Sequence, residues 1–119
     1  MRAGERFSLP AHDAHFKALA SWPLAPGTPL KSINDLAVDE QGRLVIVSSL
    51  SRRLGRLAGA LRPNGGTATF ELFGLHSDIF DADGDRAEGL AWVQGLGWLV
   101  ALDLKRDGPN LFRLGELPP

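Results

Sequence analysis

The sequence predicts an all-β fold within a single domain, residues 1–119. Two observations indicate this fold: two segments of the chain resemble each other, and each alternates short apolar runs with tight polar or glycine-rich turns. A chain of 119 residues can bury a modest core. Its 44% of hydrophobic and 23% of charged residues are those of an ordinary globular domain.

The internal repeat fixes the order of the predicted elements. "NDLAVDEQGRLVIVSS", from Asn34, matches "EGLAWVQGLGWLVALD", from Glu88, with Leu-Ala at the third and fourth positions of both. With one inserted residue the alignment pairs Gly42 with Gly97, Leu44 with Leu99, Val45 with Val100, and "LGRL" at 54–57 with "LFRL" at 111–114. The spacing of 54 to 57 residues defines repeat units of about 31–73 and 85–117.

Each unit predicts a short strand, a turn, a second strand, a second turn and a third strand around Leu-x-Arg-Leu. In the first unit "TATFELF" (Thr67–Phe73) adds a fourth strand behind the Asn-Gly turn of "RPNGG" (Arg62–Gly66). Four antiparallel strands per repeat of this length are typical of a β-propeller blade. We therefore expect a partial β-propeller of about two four-stranded antiparallel blades.

The segment "HFKALASWPL" before the first repeat fits two patterns. Phe16, Ala18, Ala20 and Trp22 alternate as in a strand, whereas Phe16, Leu19 and Ala20 would share one face of a helix. We favour a strand at the outer edge of a preceding blade. A closed propeller needs roughly four to eight blades, so this chain is expected to be part of a longer propeller, to be completed by self-association, or to form an open sandwich covered by a partner.

Composition excludes several classes of function. Thirteen Lys and Arg against fourteen Asp and Glu give a net charge of −1 with no basic face, which argues against nucleic-acid binding. The absence of cysteine excludes disulfides, thiolate metal sites and a cysteine nucleophile. With neither a signal peptide nor an apolar run of about 18 residues, the sequence as given predicts a cytoplasmic protein without membrane contact.

Oxygen donors mark the predicted start of the first strand in each unit. Asn34, Asp35 and Glu88 occupy equivalent positions, and the first strands of propeller blades line the central channel. Hard oxygen donors without Cys or His suit Ca²⁺ or Mg²⁺. The alternatives are structural: Asn34 and Asp35 can cap backbone groups, and Glu88 can be a carboxylate satisfied by backbone amides or by Arg86.

The segments "INDLAVDEQGRL" and "AEGLAWVQGLGWLVALD" resemble motifs of the gluconolactonase-like (regucalcin) β-propellers, and the Glu-Gly-Leu-Ala stretch is similar to one in the esterase-like phytase propellers. The resemblance implies that Glu88 and Asn34 hold a divalent cation that polarises a lactone carbonyl and activates water. It favours a metal-dependent hydrolase of the lactonase or esterase type, acting on a small-molecule substrate. For such a reaction, Asp35 or Asp85 is our candidate base, because each lies near other carboxylates of the sequence. The rival hypothesis is a non-catalytic module that binds proteins or carbohydrates.

Other motifs allow a functional and a structural interpretation. "DADGD" gives Asp81, Asp83 and Asp85 the spacing of a calcium loop, but a solvated turn between blades needs the same residue types. The three histidines, His12, His15 and His76, are expected at the surface, and the serines of "SSLS" lack a nucleophile elbow.

Two further groups of residues are also ambiguous. Arg52, Arg53 and Arg56 form either a patch for an anionic ligand or a solvated strand face. The tryptophans are expected to pack in the core, with Trp98 as an alternative platform for a sugar.

Overall fold

The computed structural model describes residues 16–76, 79, 85–104 and 107–119. These residues form seven strands: β1 (Asp35–Val38), β2 (Leu44–Ser48), β3 (Arg53–Leu57), β4 (Phe70–Gly74), β5 (Arg86–Val93), β6 (Gly97–Asp103) and β7 (Leu111–Gly115). The all-β prediction is confirmed for this part of the chain, and none of it forms a helix that could cross a membrane.

The first sheet is an antiparallel meander in the order β1-β2-β3-β4. Its first hairpin closes through "DEQGR", where Gly42 has a φ of 79° and its amide donates to the Asp39 carbonyl at 3.0 Å. Because non-glycine residues rarely adopt this φ, the glycine is needed for the turn. The repeat prediction placed this turn correctly.

The second sheet has the order β5-β6-β7, also antiparallel. It has three strands among the described residues, where the prediction expected about four. Strand β5 contains a bulge, because its pairing with β6 shifts between Ala87 and Gly89 and leaves Glu88 as the extra residue. Its hairpin with β6 turns through residues 94–96.

The core lies between the two sheets. Side chains alternate between the two faces of a strand, so each sheet presents one face to the other. The buried residues that form this core are Val45, Val47 and Leu54 from the first sheet, Ala87, Leu90, Trp98, Val100 and Leu102 from the second, and Ile79 from the connection. Strand β5 packs against β1 and β2, so the first strands of the two sheets are neighbours.

The pairing registers correct the repeat alignment by one residue. Leu36 lies opposite Ile46 in the first sheet, and Leu90 lies opposite Val100 in the second. If Leu36 and Leu90 are counterparts, the counterpart of Val100 is therefore Ile46 and not Val45. The difference matters because a shift of one residue moves a side chain to the other face of its sheet.

The segment "HFKALASWPL", predicted as a strand at the edge of a preceding blade, is in no strand of the single chain over its described residues. Residues 16–23 form no strand, and only Leu24 makes an isolated parallel bridge, with Ala68. Lone alternation cannot specify a strand because a strand also needs a neighbouring edge to pair with. The turn predicted at "RPNGG" is present, with the Gly65 amide donating to the Arg62 carbonyl at 3.1 Å.

Each sheet also has a face that points away from the core. We call the outward face of the first sheet the front face; by register it carries Leu36, Val38, Leu44, Ile46, Leu57, Phe70 and Leu72. We call the outward face of the second sheet the back face; by register it carries Gly89, Ala91, Val93, Leu99, Ala101 and Leu111. The front face also carries Arg53, and because its central Ile46 is 1% exposed, its exposed apolar part lies on the β1 side. The back face also carries Arg113 opposite Leu99, and Arg86 opposite Asp103.

Candidate functional site

Asn34 stands immediately before β1, where its side chain caps the end of β2. Its Oδ1 accepts hydrogen bonds from the Ser49 amide at 2.8 Å and from the Ser32 hydroxyl at 2.8 Å. An amide oxygen has two lone pairs, and these two bonds use both. Asn34 therefore does not fit the role of a metal ligand in this arrangement, and the capping alternative describes its contacts.

Asp35 joins the two sheets. Its Oδ1 accepts from the Leu36 amide at 2.8 Å, and its Oδ2 accepts from the Leu90 amide of β5 at 2.8 Å. The second bond connects residues 55 positions apart. Both carboxylate oxygens therefore serve the backbone, one locally and one across the interface between sheets.

A second link between the sheets runs through Ser49, a residue that the sequence analysis dismissed. Its hydroxyl accepts from the Ala87 amide at 2.9 Å, and Ser49 is 4% exposed. The amides on one edge of a regular strand are an even number of residues apart. Because Glu88 is an extra residue, the amides of Ala87 and Leu90, three positions apart, point to the same edge of β5. That edge faces Ser49 and Asp35.

Glu88 lies beside these links and points away from the core. It is exposed, whereas Asp85, the other candidate carboxylate of β5, is 4% exposed just before the strand. Arg86 donates to the Asp85 carbonyl at 3.3 Å and does not bond Glu88. The structure thus brings Asn34, Asp35 and Glu88 to neighbouring positions at the starts of β1 and β5.

Within the described part of the chain, the residues at the strand starts belong to no group of three acidic, histidine or cysteine side chains that could hold a metal ion. The calcium loop considered for "DADGD" falls on residues 81–84, outside the described part, apart from Asp85. His12 and His15 also lie outside it, and His76 is exposed as expected.

Asp39 is a carboxylate that the sequence analysis did not single out. It is 9% exposed and accepts from the amides of Gln41 and Arg43, both at 2.9 Å, and from Arg43 Nε at 2.8 Å. Burial alone would raise the pKa of Asp39, but the Arg43 and Gln41 hydrogen bonds and the Arg43 charge outweigh it and lower the pKa below 3.8. These contacts give Asp39 a structural role in the β1–β2 turn.

One cavity lies away from the strand starts. It has a volume of about 430 Å³ and opens between the outer strands of the two sheets. Its wall is mainly apolar, with Phe73, Leu75, Phe112 and Leu114 beside Glu116. None of the four candidate site residues, Asn34, Asp35, Asp85 and Glu88, contributes to that wall.

Trp98 and Arg56 are both buried, unlike the sugar platform considered for Trp98 and unlike the anion patch or solvated strand face considered for Arg56. Trp98 is 2% exposed and packs edge-on against Trp92 with 5.4 Å between ring centroids, so it presents no platform to a sugar. Arg56 is 6% exposed, pairs with Glu71 at 2.6 Å and lies 5.2 Å above the Phe73 ring. It belongs to the packing at the outer edge of the sheets and not to a solvated strand face.

Comparison of the chain with protein families, with curated proteins and with solved structures finds no match.

Proposed function

We propose that this chain is a non-catalytic interaction module of the β-propeller type, whose outward sheet faces are covered by β-sheets of other chains. The observation that carries the proposal is the front face. Leu36 and Val38 on its β1 side are 57% and 52% exposed and sit next to Ile33, which is 48% exposed. Adjacent exposed apolar side chains on a sheet face are typical of surfaces that bind another protein.

The propeller interpretation draws support from the packing of the two sheets. In a propeller, successive meander sheets stack face to face around their first strands. Strands β1 and β5 are neighbours here, each sheet runs outward from its first strand, and the registers are equivalent once Ile46 is matched with Val100. Two stacked sheets leave two faces that further sheets of the same kind would cover, whether from a longer propeller or from other copies.

The contacts of Asn34 and Asp35 favour a structural role over a catalytic one. Both Asn34 lone pairs and both Asp35 oxygens hold backbone amides or a hydroxyl. Removing these side chains from their present bonds would leave backbone amides unpaired at the sheet interface. Their arrangement fits residues that maintain the stacking of the sheets.

The proposal is tested with a dye that fluoresces on exposed apolar surfaces, at protein concentrations low enough to keep the chain monomeric. We expect dye binding by the wild type and a reduction by at least half in Leu36→Glu. The matched control is Leu50→Glu, because Leu50 is 60% exposed but lies in a turn outside the front face. Equal dye binding by Leu36→Glu and the wild type would reject the front face as a binding surface.

A metal-dependent hydrolase remains the second candidate, and the position of Glu88 favours it. Glu88 is an exposed carboxylate at a β-bulge, two residues before the Leu90 amide that Asp35 accepts, and bulges often re-aim side chains at active sites. Of the residues expected to hold Ca²⁺ or Mg²⁺, Glu88 has the exposure that a ligand needs, whereas Asn34 has no free lone pair. Asp35 and Asp85 are its candidate bases.

Thermal unfolding separates the two candidates. A cation that binds the folded chain at one hundred times its dissociation constant adds about 2.7 kcal/mol of stability, several degrees in a domain of this size. For the interaction module we expect the same melting temperature in chelator and in millimolar calcium or magnesium. A rise that disappears in Glu88→Gln would instead support the hydrolase.

A further inference from the structure

We infer that the partner of this module is a second copy of the same chain, docked head to tail so that its front face covers the back face of the first copy and its residues 16–20 add a fourth strand beside β7. This inference rests on the proposed function and names the partner.

The stacking of the two sheets within one chain shows what such a contact looks like. Leu36 and Leu90 occupy the same position in their sheets, opposite Ile46 and Val100. Leu90 packs on the first sheet and is 7% exposed, while Leu36 is 57% exposed. At the position of Leu36 the front face is therefore uncovered in the single chain, while Ile46 beside it is already buried at 1% exposure.

The same comparison applies to the other side of the contact. The surface that covers Leu90 is the inward face of the first sheet, which includes Ala37 and Val45. By register the counterparts of these residues on the back face are Ala91 and Leu99. Docking the front face of one copy on the back face of another would thus place equivalent residues together, as the contact between the two sheets of one chain does.

Polar groups at the proposed contact also find partners. The amide of Leu36, the counterpart of the Leu90 amide, is already bonded to Asp35 of its own copy. The counterpart of Ser49 is Asp103 at the exposed end of β6, and its carboxylate can accept the Ile33 amide of the docked copy as Ser49 accepts the Ala87 amide. Docking therefore leaves neither of these amides unpaired.

Over the described residues the first sheet has four strands and the second has three, and this difference suggests a role for residues 16–20. The first sheet ends with β4, beginning at Phe70, whereas β7 has no fourth strand beside it in the described part of the chain. Phe16-Lys-Ala-Leu-Ala resembles Phe70-Glu-Leu-Phe-Gly, and the same number of residues separates Phe16 from Leu36 as separates Phe70 from Leu90. Residues 16–20 thus stand where the fourth strand of a preceding sheet would stand.

Residues 16–20 are available for this pairing. Phe16 is 102% exposed and Leu19 is 96% exposed, and no hydrogen bond joins this segment to the rest of the described chain. In the docked copy the segment lies beside the open edge of β7, where backbone pairing of an extended segment is a common mode of binding. Such an exchange also shields an edge that would otherwise attract other chains.

The test measures the mass of the full chain by analytical ultracentrifugation over a range of concentrations. We expect the wild type to associate beyond its monomer mass of 12.8 kDa. Leu36→Glu blocks the front face and Ala91→Glu blocks the back face, so each variant alone should be monomeric. A mixture of the two should form a one-to-one complex, because one variant keeps its back face and the other keeps its front face.

Both blocking variants place the same charge, so they cannot rescue each other by an ion pair. Leu50→Glu is the control and should associate as the wild type does. Circular dichroism checks that each variant is folded, and Val38→Glu, at a front-face residue that is 52% exposed, replaces Leu36→Glu if that variant unfolds. Ala18→Pro with Leu19→Pro should weaken association at least tenfold without lowering the melting temperature, because proline removes the amides that a strand needs.

The remaining outcomes overturn the inference. A monomeric wild type excludes a second copy as the partner, although the proposed function would survive if the dye still binds the front face. Association of Ala91→Glu alone indicates front-to-front pairing, and association of Leu36→Glu alone indicates back-to-back pairing. Unchanged association of the double proline variant excludes strand addition by residues 16–20.

Discussion

Individual polar side chains hold this fold together at its turns and between its sheets. Ser49 and Asp35 each accept one amide of β5, so two residues near the start and end of the first hairpin determine how the second sheet sits on the first. A hydrogen bond of this kind contributes about 1 kcal/mol, and leaving a buried amide without a partner costs about 1–3 kcal/mol. These polar residues therefore lie between the sheets because their hydrogen bonds hold one sheet in position on the other.

The first prediction concerns Asp39 and pH. We expect Asp39→Asn to lower the free energy of unfolding by about 1 kcal/mol at neutral pH, because asparagine keeps an acceptor for the amides but loses the charge next to Arg43. The folded-state pKa of Asp39 lies below 3.8, so its contribution is complete above that pH and is lost as the pH falls through the lowered pKa. Urea unfolding at neutral pH and near pH 2 measures the difference.

The control for this prediction is Glu40→Gln, which changes the net charge equally in the same turn without touching the two amides. Glu40 is exposed, so its replacement should leave the unfolding free energy unchanged within a few tenths of a kcal/mol. If the wild type and Asp39→Asn differ by the same amount at both pH values, the charge of Asp39 does not stabilise the turn.

The glycines at the first hairpin turn of each sheet are not equivalent. Gly42 and Gly97 both have positive φ, at 79° and 87°. A Cβ at Gly42 would have nothing within 4 Å, whereas a Cβ at Gly97 would collide with the backbone carbonyl of Gly115 in β7. The second glycine therefore serves a close approach of two strands in addition to a turn.

We accordingly predict a large difference between two matched substitutions. Gly42→Ala should cost about 1–2 kcal/mol through its left-handed backbone alone. Gly97→Ala should cost at least about 2 kcal/mol more, since the clash involves backbone that cannot rotate away. Equilibrium urea unfolding measures both, and equal costs would show that β7 does not approach Gly97 as closely as described.

The two sheets share one core, so the chain should unfold as one unit. Trp98 and Val100 of the second sheet pack in the same cluster as Val45 and Val47 of the first. Separating the sheets would expose both sides of that cluster to water, which makes half-folded states unfavourable.

We predict that fluorescence and circular dichroism give coincident unfolding curves. In Trp22→Phe the remaining tryptophans, Trp92 and Trp98, both lie in the second sheet, so their fluorescence reports on that sheet, while far-ultraviolet circular dichroism reports on all strands. A fluorescence midpoint that differs from the dichroism midpoint would mean that the sheets unfold independently. The wild type serves as the reference for any effect of the substitution itself.

Sequence alone determined the all-β class, the positions of the hairpin turns and the first three strands of each repeat. These features are local, because alternation and turn residues act over a few positions, and Gly42 and Gly97 mark two of the turns. The one-residue error in pairing Val45 with Val100 arose because the alignment inserted a residue to match Gly42 with Gly97, whereas the span from Leu36 to Ile46 equals the span from Leu90 to Val100. Only backbone pairing distinguishes the registers.

The tertiary structure decided what the polar residues at the strand starts do. The sequence placed Asn34, Asp35 and Glu88 in equivalent positions, but Asn34 and Asp35 accept hydrogen bonds from backbone amides, and the distant donors, Ser49 and Leu90, come near only after folding. The sequence likewise did not indicate that Ser49 links the sheets, because its partner Ala87 is distant in sequence and its amide faces Ser49 only through the bulge in β5. Hydrogen-bond partners between sheets depend on how the sheets stack, and stacking is a property of the whole core.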